Sequence, residues 1–577
     1  MRPGEVWAPD AAELAIRLGD GSRLAMRGGD DGRWSPERDL EPGERYGFIV
    51  DGEGPYPDPR SLSLPDGVHG LSRVVDPAVF TREVDWGGRP VRGTVIYELH
   101  VGTFTHEGTL DAAVDRLDDL VALGIDTVEL MPVSAFAGMR GWGYDGVAPW
   151  SVHQVYGGPE ALVRFVDAAH ARGLAVVLDV VHNHLGPEGA YVSKFGPYLT
   201  ARHQTPWGDG INLDDTGSAE VRDYLIGSAR HFLVDVGLDG LRLDAVHALV
   251  DDSETHFLQE LSTATRAWSV EAGRPLTLIA ESDLNQPAMV MPVGTEPEAC
   301  GMDAQWADDI HHALHAFFGR ETTGYYSDFG DARELAKALT RVFVHDGGFS
   351  SFRGTDWGAP VDPDSPYYDG HSFVAFLQDH DQVGNRAVGD RFAQHAGPGD
   401  QAAAAALYLL AANTPMLFMG EEWAASSPFP FFSELGPELG PHVTTGRARE
   451  FAAMGWVEAT PDPQARETFD SAKLRWQERG EGEHARMLAW YSTLIGLRRA
   501  HRELRDPRLG DVEVEIVDPD TVTMRRGPYL VAATRAGSRV RVGHGTEVVA
   551  AWDPAQLEDG VLTLPGAGAA VLMLPTG

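Results

Sequence analysis

Cysteine and long apolar runs are scarce in this chain, and each scarcity excludes a class of protein. One cysteine, Cys300, occurs among 577 residues, so an intrachain disulfide is excluded. No segment reaches the roughly eighteen consecutive apolar residues of a membrane-spanning helix, and no apolar stretch of a secretory signal follows the basic start. These absences predict a cytoplasmic protein.

Positive charge is also scarce. Lys and Arg number 47 against 86 Asp and Glu, which gives a formal net charge of −39. Nucleic acids and anionic membranes are bound mainly through Lys and Arg, so neither is an expected partner. The chain also lacks a glycine-rich phosphate loop followed by Gly-Lys-Ser/Thr, and no nucleotide or other cofactor is predicted.

Three regions differ in their patterning, as expected for a chain too long for one ordinary domain. Residues 1–88 alternate short apolar runs with Pro, Gly and Asp clusters, which predicts an N-terminal β-sandwich of the carbohydrate-binding kind. Residues 89–505 alternate strand and helix patterns and contain a loop insertion at about 182–215. Residues 506–577 return to short strands and turns and predict a small C-terminal β-domain.

The middle region contains eight strand candidates separated by helical patterns. They lie at 94–102, 127–133, 174–181, 239–246, 276–282, 301–306, 372–378 and 414–420. This alternation predicts an α/β fold, specifically a (β/α)8 TIM barrel. A doubly wound open sheet is the competing topology, because periodicity alone does not separate the two.

Polar residues stand where the predicted strands end, which is where barrels carry their catalytic groups. These strand-end residues are Asp179, Asn183, His184, Arg242, Asp244, Glu281, His380 and Asp381. Because the carboxyl ends of all eight strands meet at one rim, we expect these side chains to lie together.

The segment LDGLRLDAVHAL, residues 238–249, carries the clearest of these signals. Side chains alternate along a strand, so Arg242 and Asp244 share one face. A structural ion pair explains that strand alone as well as a functional pair does, but four agreeing strand ends favour function. Glycoside hydrolysis needs one carboxylic acid to protonate the leaving oxygen and one carboxylate to attack or to activate water. Arg242 is expected to keep Asp244 ionised.

Four motifs resemble the signature regions of the α-amylase family of glycoside hydrolases. They are DVVHNH, GLRLDAVH, LIAES and QDHDQ, and they occur in the family's order. The resemblance implies that Asp244 is the nucleophile, Glu281 the general acid and base, and Asp381 the transition-state stabiliser. It also implies substrate contacts from Tyr144, His184, Arg242, His247, Asp308, Asp309, His312, His380, Gln382 and Asn385.

Further segments, among them RGWGYDGV, DAQWADDIHHALH and LFMGEEWAASSPFPFF, resemble one branch of that family. The likeness implies a retaining hydrolase that cleaves the α-1,4 bond next to the terminal trehalose of malto-oligosyl trehalose and releases trehalose. A glucan branching or debranching enzyme of the same family is the alternative. A non-catalytic glucan-binding protein is a further one, which the intact catalytic trio disfavours.

Two positions depart from the family pattern. Asp379 precedes His380 where the family usually has asparagine, and His182 stands where tyrosine or another residue is more frequent. An added carboxylate at 379 is expected to shift pKa values in the site.

Histidine spacing raises the question of a metal. His182 and His184 are alternate residues, and His311 and His315 have the spacing of a helical ligand pair. The segment HALH lacks the glutamate of the HExxH zinc motif, so no metal is predicted. The sequence leaves the oligomeric state open.

Overall fold

The computed structural model describes residues 2–453 and 460–575. Its N-terminal part is a seven-stranded antiparallel sheet. The strands are Val6–Trp7, Leu14–Leu18, Arg23–Gly28, Arg33–Pro36, Arg45–Val50, Glu53–Tyr56 and Ser72–Arg73. Apolar side chains of this sheet pack on a later part of the chain. Phe48 contacts Phe195 edge to face, and Trp7 contacts Tyr198.

Eight parallel strands close into a barrel at the centre of the chain. They are Ile96–Leu99, Thr127–Leu130, Ala175–Val180, Gly240–Leu243, Thr277–Ala280, Ala304–Trp306, Phe373–Phe376 and Thr414–Phe418. Closure comes from the last strand pairing with the first, with Met416 opposite Ile96. Each strand falls within a predicted segment, so the predicted barrel is confirmed and the doubly wound alternative is wrong.

The helices surround this barrel. They are Val101–Phe104, Leu110–Val114, Leu117–Leu123, Gly158–Ala171, Ser218–Arg230, Phe257–Ala272, Asp308–Gly319, Ala332–Arg341, His380–Gly384, Phe392–His395, Pro398–Leu410, Gly440–Ala453, Arg466–Ser471 and Gly482–Ala500. A π-helical turn, His231–Val236, follows Ser218–Arg230. Helix Pro398–Leu410 is almost wholly buried because it packs between helix Gly482–Ala500 and the C-terminal strands.

Within the described part of the barrel region, two hairpins interrupt the alternation of strands and helices. The insertion predicted at about 182–215 contains the antiparallel pair Leu199–Thr205 and Gly208–Ile211. A second pair, Gly348–Ser350 and Thr355–Trp357, lies between the sixth and seventh barrel strands. Both are connections at the carboxyl side of barrel strands, which is where barrels build their binding surfaces.

The C-terminal part forms a five-stranded and a three-stranded sheet. Its strands are Val512–Asp518, Thr521–Arg526, Tyr529–Thr534, Ser538–Arg541, Glu547–Ala551, Gln556–Glu558, Val561–Leu564 and Gly568–Met573. The strand-rich ends expected on both sides of the barrel are therefore present, while the boundaries at residues 88 and 505 stay predictions. Among the described residues, no helix is both long and apolar enough to cross a membrane.

Candidate active site

Arg242 lies inside the barrel, where its guanidinium contacts three carboxylates. Its side chain is fully buried, with the guanidinium 4.1 Å from the centre of the Trp306 ring. Nη1 is 2.7 Å from Asp179 Oδ2 and 3.1 Å from Asp244 Oδ1, and Nη2 is 3.0 Å from Glu281 Oε2. The alternation along the fourth strand therefore aims Arg242 at the ends of three neighbouring strands.

A second donor fixes the carboxylate of Asp244. Nδ2 of Asn183 donates to Asp244 Oδ2 over 2.7 Å and to the Asp244 carbonyl over 2.7 Å. The ring of His184 contacts Oδ1 of Asn183 and so orients that amide. Both oxygens of Asp244 thus have defined donors, which restricts the carboxylate to one orientation.

Glu281 is held by the backbone that follows Asp244. Ala245 has a φ of 38°, a left-handed conformation that is uncommon for alanine. That turn lets the Ala245 N–H donate to Glu281 Oε2 over 2.7 Å. Backbone strain of this kind gathers at functional sites, where the surrounding structure maintains it.

Asp381 lies beside a charged histidine. His380 Nδ1 is 2.5 Å from Oε1 of the buried Glu98, and His380 Nε2 is 3.7 Å from Asp381 Oδ1. Burial disfavours a charged imidazole, but Glu98 and Asp381 outweigh it and raise the pKa of His380 to about 10. His380 is therefore a cation at neutral pH, and Asp381 stays the more exposed of the two.

Asp244 and Glu281 share the charge of Arg242 unequally. Burial and then the charge of Glu281 raise the pKa of Asp244 well above its usual range. Burial also disfavours the charged form of Glu281, but Arg242 and the Ala245 N–H outweigh it and lower that pKa. Arg242 thus serves three carboxylates rather than one, and its expected role of keeping Asp244 ionised stays a prediction.

Aromatic rings border the carboxylates. Tyr144 stacks on the His380 ring with centroids 4.9 Å apart, and its hydroxyl donates to Asp179. Trp207 lies in the hairpin after the third strand and is half exposed. Its ring stacks on the ring of His184, with the centroids 4.4 Å apart and an angle of 2° between the planes. Flat apolar faces beside carboxylates suit a ligand with C–H faces and hydroxyl edges, such as a sugar.

The predicted site residues fall into two adjoining cavities. The inner cavity, about 350 Å³, is lined among others by Tyr144, His184, Asp244, His247, Glu281, His380, Asp381 and Asn385. The outer cavity, about 710 Å³, is lined among others by Asp308, Asp309, His312, Asp381, Gln382 and Asn385. Arg242 lies beneath the carboxylates, with no surface in either cavity.

Two neighbouring aspartates of the outer cavity differ in their surroundings. Asp309 Oδ2 accepts from the N–H groups of Val344 and His345 over 2.7 and 2.8 Å, and hydrogen bonds from His312 and His345 help to lower its pKa despite burial. Burial, with Glu281 and Asp309 next, raises the pKa of Asp308 to about 8. Asp309 therefore anchors the backbone at Val344 and His345, and the carboxyl of Asp308 is protonated at pH 7.

Among the described residues, two groups of His, Asp and Glu side chains lie close enough together to bind a metal ion, and in each group an arginine pairs with a carboxylate. In one, His315, Glu321 and His395 are close together, but Arg386 Nη1 lies 2.6 Å from Glu321. The two histidines with the spacing of a helical ligand pair, His311 and His315, both have protein partners. His311 contacts the Leu377 carbonyl and the Tyr326 hydroxyl.

The second group joins the hairpin after the third strand to the segment after the fourth. It consists of His203, Asp214 and Asp252, and Arg202 Nη2 lies 3.0 Å from Asp252. His182, the other departure from the family pattern, is buried and lines a small cavity behind His184. The guanidinium at each group supplies the positive charge that a metal ion would bring.

Several lining residues were not predicted. The clearest are Trp207 and Arg447, which line both cavities. Asp283 and Arg353 form a 3.1 Å ion pair in the outer cavity. A tryptophan in a polar insertion was a usable signal for Trp207, whereas no pattern marks Arg447, which lies on helix Gly440–Ala453 far along the chain.

Comparison with known proteins gives consistent matches. The alpha amylase catalytic domain family matches residues 65–205. The chain is 50% identical over 580 residues to the malto-oligosyltrehalose trehalohydrolase of Arthrobacter ramosus, covering 99% of both chains. It is 47% identical over 577 residues to the enzyme of that name from Mycobacterium tuberculosis strain H37Rv, covering 98% of both.

Solved structures match the fold over almost the whole chain. A crystal structure of an alpha amylase candidate from Salmonella typhimurium aligns with a TM-score of 0.90 and 36% identity, covering 99% of this chain and 97% of that one. A pullulanase from Paenibacillus barengoltzii, crystallised with maltohexaose and α-cyclodextrin, aligns with a TM-score of 0.71 and 19% identity, covering 99% and 93%. At that identity the second match speaks for the fold alone.

Proposed function

Since the chain belongs to the malto-oligosyltrehalose trehalohydrolases of the α-amylase family, we propose that it is a hydrolase of malto-oligosyl trehalose. It cleaves the α-1,4-glucosidic bond next to the terminal trehalose and releases trehalose. The observation that carries the proposal is one cavity lined by Asp244, Glu281 and Asp381, in which Asp244 and Glu281 share one arginine.

The first step forms a covalent intermediate. A carboxylate oxygen of Asp244 attacks the anomeric carbon while the bond to the glycosidic oxygen breaks and Glu281 protonates that oxygen. Trehalose leaves as the protonated aglycone, and the malto-oligosyl chain stays on Asp244. Asp381 binds hydroxyls of the distorted ring and stabilises its oxocarbenium-like charge.

The second step returns the enzyme to its starting state. Glu281, now ionised, takes a proton from water, and the water oxygen attacks the same carbon to release the malto-oligosaccharide with its configuration retained. The catalytic cycle thus needs the proton on Glu281 and the charge on Asp244 when the bond breaks. Asp244 and Glu281 lie on one guanidinium, so their protonation is coupled.

The surrounding residues position the sugar. Tyr144 offers a ring face under the attacked sugar, and His380, a cation held by Glu98, donates to its hydroxyls. His184 and His247 line the same inner cavity, and Asp308, Asp309, His312, Gln382 and Asn385 line the outer one. Arg242 acts from below by orienting the carboxylates.

The test compares two matched substrates. Purified enzyme is incubated with a malto-oligosyl trehalose and with the malto-oligosaccharide of equal glucose number, and both product sets are quantified. Trehalose release from the first at a much higher rate supports the proposal. Equal cleavage of both indicates a general amylase, and new α-1,6 branches in amylose indicate a branching enzyme.

A cytoplasmic location belongs to the same proposal. It rests on the single cysteine, Cys300, which excludes a stabilising intrachain disulfide. Fractionation of the native host, with trehalose release assayed in each fraction, tests it. Activity confined to the extracellular fraction would overturn it.

A further inference from the structure

Arg447 occupies the boundary between the two cavities. It lies on helix Gly440–Ala453, beyond the last barrel strand, and no strand-end motif points to it. The two cavities share four lining residues, Trp207, Asp381, Asn385 and Arg447. Within the described chain, Arg447 is the one Lys or Arg among them, so it brings positive charge to the place where the cavities meet.

A chain of hydrogen bonds links Arg447 to Asp381. Nη2 of Arg447 donates to Asn385 Oδ1 over 2.9 Å and lies 3.3 Å from the Gly384 carbonyl. Nδ2 of Asn385 in turn donates to Asp381 Oδ1 over 3.1 Å. The helix after the eighth strand therefore reaches a proposed catalytic carboxylate through one amide.

The direction of that amide depends on Arg447. An asparagine side chain has an oxygen on one side and an NH2 group on the other, and a flip exchanges them. A guanidinium only donates, so it selects the orientation with Oδ1 toward Arg447 and Nδ2 toward Asp381. Without Arg447 the flipped state, in which Oδ1 faces the carboxylate of Asp381, is opposed by that carboxylate alone.

The site also holds Arg447 itself in place. Its guanidinium lies 4.7 Å from the centre of the Phe431 ring, which lines the inner cavity. Cation–π contact and the two acceptors of the seventh-strand loop define one position for the planar group. A lysine has no such fork, because its ammonium acts as a point charge.

We propose that Arg447 is a positioning residue for Asp381, which acts by fixing the amide of Asn385 at the boundary of the two cavities. The inference rests on the proposed function, in which Asp381 stabilises the transition state. Loss of Arg447 therefore lowers kcat more than it raises KM, because the ground-state sugar keeps its other contacts.

The variants Arg447→Ala, Arg447→Lys and Asn385→Ala test this, with Arg449→Ala as the control. Arg449 is exposed on the same helix, two residues away. Charge-assisted hydrogen bonds are worth about 1.5–3 kcal/mol, so kcat of Arg447→Ala on malto-oligosyl trehalose should fall about ten- to hundredfold. Arg447→Lys should recover part of the loss, and Arg449→Ala should match the wild type.

A double-mutant cycle separates positioning from a general structural effect. If Arg447 acts through Asn385, the variant carrying both Arg447→Ala and Asn385→Ala has the kcat of Asn385→Ala alone, within about twofold. If the two residues acted independently, the fold-losses in kcat of the two single variants would instead multiply. Thermal unfolding of each variant checks that the fold is intact, and the lysine variant supplies the comparison if the alanine variant unfolds.

Failure of this inference is distinct from failure of the proposed function. Wild-type enzyme that releases trehalose, together with an unchanged kcat in Arg447→Ala or with multiplying losses in the cycle, overturns the role of Arg447 alone. Wild-type enzyme that does not cleave malto-oligosyl trehalose overturns the proposed function and this inference with it.

Discussion

The backbone N–H of Ala245 donates to Oε2 of Glu281 over 2.7 Å. The residue that follows the proposed nucleophile thus holds the proposed acid, and it does so in a left-handed conformation. The positions of the two proposed catalytic carboxylates are therefore coupled through one peptide group. The same contact helps to lower the pKa of Glu281.

Replacement of the nucleophile is the first prediction. Asp244→Asn should lower trehalose release by a factor on the order of 10⁴ or more, because an amide cannot form the covalent intermediate. Binding of malto-oligosyl trehalose, measured by calorimetry, should remain. A turnover within tenfold of the wild type would remove Asp244 from its assigned role.

The aspartate that replaces the usual asparagine gives a pH prediction. Burial raises the pKa of Asp379 well above its usual range, and its Oδ1 accepts from the Gln382 N–H as the oxygen of an asparagine would. Asp379→Asn should match the wild type in kcat/KM at acidic and neutral pH. At alkaline pH, where Asp379 ionises beside Glu98 and Asp381, the variant should retain more activity.

Complete pH profiles of kcat/KM for the two proteins check this. Because the raised pKa belongs to an acid, its charge appears only as pH rises, so a difference confined to low pH would contradict the assignment. Identical profiles over the whole range would show that Asp379 does not ionise where the enzyme works.

Trp207 gives a prediction about substrate binding. Its ring is 49% exposed and stacks on His184 within 4.4 Å. Trp207→Ala should raise KM about two- to tenfold, as expected from an aromatic contact of about 0.5–1.5 kcal/mol, with less effect on kcat. Val270→Ala, at a more exposed apolar site on helix Phe257–Ala272, is the control. An unchanged KM would exclude Trp207 from the binding surface.

Asp308 gives a prediction about stability. Burial, followed by Glu281 and Asp309, raises its pKa to about 8. The folded chain therefore keeps a proton that the unfolded chain releases above about pH 4, so this group reduces stability as pH rises from about 4 to 8. Asp308→Asn removes that cost.

Urea unfolding at pH 5 and pH 7 measures the effect. The gain in free energy of unfolding of Asp308→Asn should grow with pH, by at most about 1.4 kcal/mol per pH unit. Asp364→Asn, at an exposed aspartate, should show no such trend. A gain that is the same at both pH values would contradict the neutral state of Asp308.

Local sequence patterns were enough to predict the barrel strands. Buried parallel strands are short apolar runs between helical patterns, and that rule located even the weak sixth strand, Ala304–Trp306. The proposed catalytic trio was predictable for the same reason, because a polar residue that follows an apolar strand is easily recognised. Asp244 and Glu281 directly follow their strands, and Asp381 lies on the short helix His380–Gly384 after the seventh strand.

Residues outside the strand ends were not readable in that way. Arg447 comes from a helix after the eighth strand, and Trp207 from a hairpin within a polar insertion. Glu98 lies inside the first strand, where its charge is hidden among apolar neighbours and matched by His380 from the seventh. Each acts through a partner distant in sequence, and no local pattern encodes that pairing.

The sequence by itself determined the alternation of strands and helices, the strand that carries Arg242 and Asp244, and the order of the catalytic motifs. These depend on side-chain periodicity and on neighbours along the chain. The tertiary structure alone decided how the positive charge of Arg242 is shared among carboxylates. Closure of the barrel places Asp179, Asp244 and Glu281 around one buried guanidinium, and electrostatic energy depends on distances in space and on burial rather than on sequence separation.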